Sequence, residues 1–142
     1  MNILVSACLL GVDCRYCGDS CRNEGILNLK DKHNLIPVCP EQLGGLPTPR
    51  VPSERKGELV VGKDGTDVTE EFQKGAEQAL YLCQLYECET AILKKNSPSC
   101  GFGIIYDGTF TGNKVSGDGV AAELLSQHGV LVLNEDNYAE GL

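Results

Sequence analysis

The chain has 142 residues, of which 42% are hydrophobic and 23% charged, and it carries a net charge of −8. That length suits one domain with a real core, and the acidic balance argues against a nucleic-acid polymer as partner, because phosphate binding calls for a basic excess. No run of about 18 apolar residues is present, so no stretch reads as a membrane span, and the opening residues lack both a basic region and an apolar core long enough for a signal sequence, so the expected location is cytoplasmic.

Eight cysteines are many for such a chain, and only two histidines, His33 and His128, accompany them. In a reducing compartment, cysteines at this density bind metal or do chemistry more often than they form disulfides. Any metal site is therefore mainly thiolate, which points to zinc or an iron–sulfur centre.

In chain order, Ile3 to Ala7 read as a short buried strand, and Cys8 to Cys21 as a loop rich in Cys, Gly and Asp. A helix is expected from about Asn23 to Lys32, weakened by Gly25. Leu35 to Cys39 form a second strand whose unbroken apolar run predicts burial on both faces. Pro40 to Lys56, rich in proline and glycine, read as a long functional loop. Glu58 to Gly62 predict a strand with a turn after it, and Asp67 with Glu70 a capping box. That box opens a helix from about Val68 to Glu87, with Val68, Phe72, Ala76, Ala79, Leu80 and Cys83 on its core face. Cys83 reads as a small core hydrophobe, and Cys88 as structural or incidental.

Residues 90–94 make a third strand, followed by the turn-rich loop Asn96 to Gly101. Ile104 to Phe110 read as a strand or hairpin arm with an Asp-Gly turn, Gly119 precedes a helix to about His128, and Val130 to Leu133 form a last strand before a short helical tail. Strands alternating with helices imply an α/β layer fold with a mainly parallel sheet, in which ligands sit beyond the carboxyl ends of the strands. Cys8, Cys39 and Cys100 all follow strands on that side.

Two thiol groupings are open. Cys14, Cys17 and Cys21 have the short spacing of a zinc or iron–sulfur loop, and the Cys14/Cys17 pair has that of a redox dithiol. Alternatively, Cys8, Cys39 and Cys100 would hold a 4Fe–4S cluster with one open iron, a Lewis acid for a soft sulfur or an oxygen. Glu41 lies two residues past Cys39 and is a candidate base, and Ser97 and Ser99 offer hydroxyls beside Cys100. Arg50, Lys94 and Asn96 would orient a polar substrate, and Arg50, Arg55 and Lys56 form either a small-anion patch or an ordinary solvated loop. Backbone N–H groups near Gly11, Gly44, Gly45 and Gly101 would offset the charge of such a cluster.

The ordered series Ser6-Ala7-Cys8-Leu9-Leu10-Gly11, Cys14-Arg15-Tyr16, Pro37-Val38-Cys39-Pro40-Glu41, Gly44-Gly45-Leu46, Pro49-Arg50, Ser97-Pro98-Ser99-Cys100-Gly101 and Tyr106-Asp107-Gly108-Thr109-Phe110 resembles the thiouracil desulfidase family, TudS, over nearly the whole chain. The resemblance implies a single domain over residues 1–142 with a Rossmann-like, three-layer α/β fold. It implies a 4Fe–4S cluster on Cys8, Cys39 and Cys100, whose open iron takes the thiocarbonyl sulfur of a thiolated pyrimidine, as base, nucleoside or nucleotide. Glu41 would be the acid/base group and Ser97 its helper, with Ser99 the alternative. The implied reaction is non-redox hydrolysis to uracil and sulfide. The chain departs from the family pattern at Cys17, where relatives tend to carry Asp, which keeps a metal or redox module on Cys14, Cys17 and Cys21 as the alternative function.

Overall fold

A computed structural model describes all 142 residues. Ile3, Leu4 and Val5 are wholly buried and set the centre of the fold. In chain order the elements are β1 (Asn2–Ser6), a 3-10 turn (Ala7–Leu10), α1 (Glu24–Leu27) running into a second 3-10 turn (Asn28–Asp31), β2 (Asn34–Val38) and α2 (Pro40–Leu43). They continue through β3 (Ser53–Lys56), β4 (Leu59–Gly62), α3 (Thr69–Leu85), β5 (Thr90–Ile92), β6 (Ile104–Tyr106), β7 (Lys114–Ser116), α4 (Val120–Gln127), β8 (Leu131–Leu133) and α5 (Tyr138–Gly141). No helix is long and apolar enough to cross a membrane.

Four strands form a parallel sheet in the order β2-β1-β5-β8. Successive side chains along β1 point to opposite faces, so each face nucleates its own layer. Ile3 and Val5 join Ile26 of α1, Ile92, Leu133 and the ring of Tyr138. Leu4 joins Ala91, Cys83 of α3, and Ala122 and Leu125 of α4. The result is the expected three-layer α/β arrangement around a parallel sheet. Burying each large aliphatic side chain contributes roughly 1.5–3 kcal/mol before entropy is counted.

The register decides where the chemistry sits. Ser6 pairs with Val38, Val5 with Ile92, and Ile92 with Leu133, so the carboxyl ends of all four strands lie along one edge. The chain leaves β1 toward β2 on one side and reaches β5 on the other. The edge beyond β1 is therefore a topological switch point, where such sheets open a crevice. Cys8 follows β1 by two residues and Cys39 follows β2 directly.

Several expectations need correction. The apolar run of β2 is not buried on both faces; the strand lies at the sheet edge, with Asn34 and Pro37 exposed. An edge tolerates Pro37, which has no N–H to give a second neighbour. The helix expected over residues 23–32 is one α-turn and one 3-10 turn, entered through Asn23, whose side chain accepts from Ile26 N–H at 3.0 Å. The stretch 40–56 is not simply loop, since it holds α2 and β3, and β3 pairs antiparallel with β4.

The capping box does not form. Asp67 accepts from Thr69 N–H at 2.9 Å in a local turn, Val68 takes the cap position, and Glu70 is exposed. The arm expected over 104–110 ends at Tyr106 and pairs with β7, which the sequence reading missed. The connection between them is longer than a two-residue Asp-Gly turn because Asp107 closes its own turn onto Thr109. The sequence pattern places Val120, Ala121, Leu124 and Leu125 on the apolar side of α4; the buried residues are Ala121, Ala122 and Leu125, with Val120 and Leu124 half-buried.

One close crossing fixes α2. A Cβ at Gly75 of α3 would overlap the carbonyl oxygen of Pro40, and one at Gly44 would overlap that of Glu71. The two backbones thus touch where the chain carries Cys39, Pro40 and Glu41. Gly75→Ala is expected to cost about 2 kcal/mol by overpacking, read as a lower denaturation midpoint with an unchanged slope. An unchanged midpoint would show that α2 can retreat freely.

Candidate active site

At the switch point a cavity of 340 Å³ opens, lined by residues from the loops after β1, β2 and β5. The size falls within the range of small-ligand pockets. Cys8, Cys14 and Cys100 line it, together with Glu41, Asn96, Ser97 and Ser99. Cys39 is half-buried and does not line it; its Sγ faces the carbonyl oxygen of Cys14 at 3.8 Å.

The thiols form a connected group. Cys14 packs with Cys8 and Cys39, and Cys39 bears electrostatically on Cys100. All eight cysteines are free. Burial pushes the Cys100 thiol up to about 12, against the neighbouring Ser6 and Ser99 hydroxyls, which lower it. The neighbouring Cys14 and then burial raise Cys39 far above the ordinary thiol value. For Cys14 the neighbouring Cys39 lowers the thiol, but contact with Cys8 and burial outweigh it and bring it to about 11. Cys14, Cys39 and Cys100 are therefore protonated thiols at neutral pH, and any metal they bind must displace their protons.

No three Cys, His, Asp or Glu side chains converge on a point where a single metal ion would sit. A cubane cluster presents its irons at separate corners, so its cysteines stand farther apart than those around one zinc ion. Soft sulfur donors without a histidine also suit iron–sulfur ligation. The donor set fits a cluster better than a mononuclear site.

The local grouping of Cys14, Cys17 and Cys21 does not assemble. Cys14 is buried against Cys8 and Cys39, Cys17 is exposed and bonds Asp19 at 3.0 Å, and Cys21 packs partly against the sheet core. Cys14 is the pocket residue that the sequence reading placed elsewhere. Its position on the same loop as Cys8, six residues on, was the available signal.

Glu41 stands in the first turn of α2 with both oxygens engaged. Oε1 accepts from Arg50 Nε at 3.0 Å, and Oε2 accepts from the Ser99 hydroxyl at 2.8 Å. Ser99 is buried and its Oγ also lies 3.7 Å from Cys100 Sγ. Ser97 is occupied differently: its Oγ accepts from the N–H groups of Ser99 at 3.1 Å and Cys100 at 3.0 Å, and lies 2.9 Å from Ser99 Oγ. Of the two serines, Ser99 is the one that touches Glu41.

The Ser97–Cys100 loop is held by α4. The carbonyls of Pro98 and Ser99 accept from Val120 and Ala121 N–H, and the Gly119 N–H donates to Gly101 O. A Cβ at Gly119 would press on the Ser99 carbonyl carbon at 2.5 Å, so only glycine lets the loop seat there. The loop thereby caps α4, and α4 in turn fixes Cys100.

Other expected contacts are spent inside the protein. Arg55 bonds the carbonyl of Asp118 at 2.7 Å and pairs with Glu123 at 2.6 Å, so it does not join Arg50 and Lys56 in an anion patch. Lys94 lines the cavity but pairs with Glu135 at 2.7 Å. The N–H groups of Gly11, Gly44, Gly45 and Gly101 all close local turns, onto Cys8, Pro40, Gln42 and Ser97 carbonyls, and are not free to offset a cluster's charge. Asn96 sits at φ +65°, a left-handed position that asparagine tolerates, and half-buried in the cavity wall.

Comparison with known proteins identifies relatives along nearly the whole chain. The model of the 2-thiouracil desulfurase family matches residues 3–137. The uncharacterised protein YbbK of Bacillus subtilis (strain 168) is 44% identical over 144 residues, covering 94% of this chain and 95% of its own. The solved structure of the [4Fe-4S]-dependent thiouracil desulfidase TudS superposes with a TM-score of 0.93 at 48% identity, covering 98% of this chain and 93% of that one. The chain therefore belongs to the 2-thiouracil desulfurase family.

Proposed function

We propose that this protein removes sulfur from a thiolated pyrimidine by hydrolysis without net redox change. The observation that carries the reading is the juxtaposition, in one cavity, of Glu41 held between Arg50 and Ser99 with the thiols of Cys8, Cys14 and Cys100. Cys8, Cys39 and Cys100 would hold a 4Fe–4S cluster with one open iron. When bound, it supplies a soft Lewis acid that draws electron density from the thiocarbonyl carbon.

The chain's own residues do the rest. Glu41 takes a proton from water as the water oxygen bonds to the ring carbon. The C–S bond then breaks as Glu41 returns its proton to the departing sulfur, which leaves as HS⁻, and the second water proton passes to solvent as the C=O forms. One water is consumed, one C=S becomes C=O, and no electrons are exchanged with a donor. Ser99 keeps one Glu41 oxygen aimed beside Cys100, while Ser97 holds the loop that carries both. Asn96 offers the substrate an amide, whose donor and acceptor match the imide edge of a uracil ring. The substrate is a small molecule in this reading, since the cavity admits one ring and the net charge of −8 disfavours a polymer of phosphates. A reducing, cytoplasmic setting suits free thiols and an exposed cluster.

Anaerobic loading with iron and sulfide, followed by assay on 2-thiouracil, 4-thiouracil and their nucleotides, tests the proposal. Release of sulfide in step with uracil formation, with no added electron donor, is expected. A fully loaded protein that leaves all of these substrates intact would remove it.

A further inference from the structure

Arg50 lines the cavity, yet its guanidinium faces the protein. Its side chain is only 6% exposed. Nε donates to Glu41 Oε1 at 3.0 Å, Nη2 to the Cys14 carbonyl at 2.9 Å, and Nη1 to Thr48 Oγ1 at 3.0 Å and the Pro47 carbonyl at 3.2 Å. A guanidinium has five N–H donors, and these contacts engage all three of its nitrogens. Its backbone N–H also ties the strand of chain to the Tyr16 carbonyl at 2.8 Å. Little of it remains to grip a substrate.

The partners are what give these bonds meaning. The Cys14 carbonyl that accepts from Nη2 also faces Cys39 Sγ. One planar cation thus joins the carboxylate on α2 to the loop that carries Cys14, on the side opposite Ser99. A carboxylate held by one bond can rotate about its terminal torsion, which is broad for glutamate. Held by Arg50 on one oxygen and Ser99 on the other, it has one orientation. Lysine could replace the charge but not the fork that reaches Glu41 and Cys14 together.

We infer that Arg50 is a positioning residue, which aims Glu41 and fixes its distance from the thiols, rather than a substrate ligand. This rests on the reading of Glu41 as the base, and the test separates the two. Cluster-loaded Arg50→Gln, Arg50→Lys, Glu41→Gln and the Arg50→Gln/Glu41→Gln pair are compared with the parent protein on 2-thiouracil. The thiouracil giving fastest sulfide release replaces it if 2-thiouracil is not turned over. Iron and acid-labile sulfide per chain and the visible cluster absorption are measured on every variant.

Arg50→Gln is expected to lower kcat by about 100-fold, the low end of what a positioned acid–base group supplies. KM should change less than about threefold, because no substrate contact is lost. Arg50→Lys should recover part of the loss, and cluster content should match the parent in both. In the Glu41→Gln background, Arg50→Gln should add less than about a twofold further loss, as expected of residues acting as one unit. A rise in KM at constant kcat, a loss explained by missing cluster, or multiplicative effects in the double variant would each overturn the inference. If Glu41→Gln alone leaves turnover unchanged, the base assignment itself fails, and the positioning role fails with it.

Discussion

Glu41→Gln is expected to cut desulfidation by about 10²- to 10⁴-fold, the range a general base contributes, while leaving the cluster's visible absorption in place. The substitution keeps shape and volume, so α2 and its glycine crossing with α3 are undisturbed. It replaces one acceptor oxygen with an NH₂ group, and an amide cannot take a proton from water at neutral pH. Because Glu41 touches no thiol through a hydrogen bond, the loading of iron should not depend on it. Single-turnover assays under anaerobic conditions, with iron counted per chain, check both halves. Retention of parent turnover would remove Glu41 from the chemistry, and loss of absorption would assign it to holding the cluster instead.

Cys100→Ala should have the largest effect of any single change on cofactor content. Its Sγ is buried at the foot of the cavity, beside the hydroxyls of Ser6 and Ser99. Removing one of the three proposed sulfur ligands should drop iron and acid-labile sulfide per chain by about tenfold or more, since a cysteine thiolate would hold its iron directly. The fold should survive, because alanine leaves only a sulfur-sized gap, for a loss of about 1 kcal/mol. Cys83→Ala is the matched control. Cys83 is as buried, but its thiol donates to the Cys88 carbonyl at 3.3 Å within the α3 layer, far in role from the cavity. It should lose similar stability and keep the full cluster. Equal loading of the two variants would show that Cys100 is a core residue only.

Much of this arrangement is written in local pattern. The apolar run Ile3-Leu4-Val5, the periodicity of α3 and the Cys-Pro-Glu step after β2 give the layer order and the edge at which the thiols gather. Pattern does not say which strand is outermost, however. The run in β2 resembles a central strand, but its position depends on which neighbours the crossovers leave free, a property of topology rather than of five residues.

The side chains of the site divide the same way. Glu41 is legible because it lies two residues from a cysteine. The choice between Ser97 and Ser99 is not, because both hydroxyls share a loop and only the docking of α4 decides which one turns toward Glu41. Arg50 reads as a substrate contact, and spacing does not report that its guanidinium bonds Glu41, Thr48 and the Cys14 and Pro47 carbonyls. Arg55 and Lys94 are likewise claimed by Glu123 and Glu135, acids distant in the chain. Cys14 looks like the first member of a local finger because spacing alone cannot report that the loop turns it inward.

β2, which leads into Cys39, is zipped to the rest of the sheet along one flank only. Peeling it back breaks half the ladder that an inner strand would have to give up, so fraying there lies at the low end of the opening energies of the domain. The segment that carries Cys39 and leads into Glu41 thus hangs from a strand anchored on one side alone.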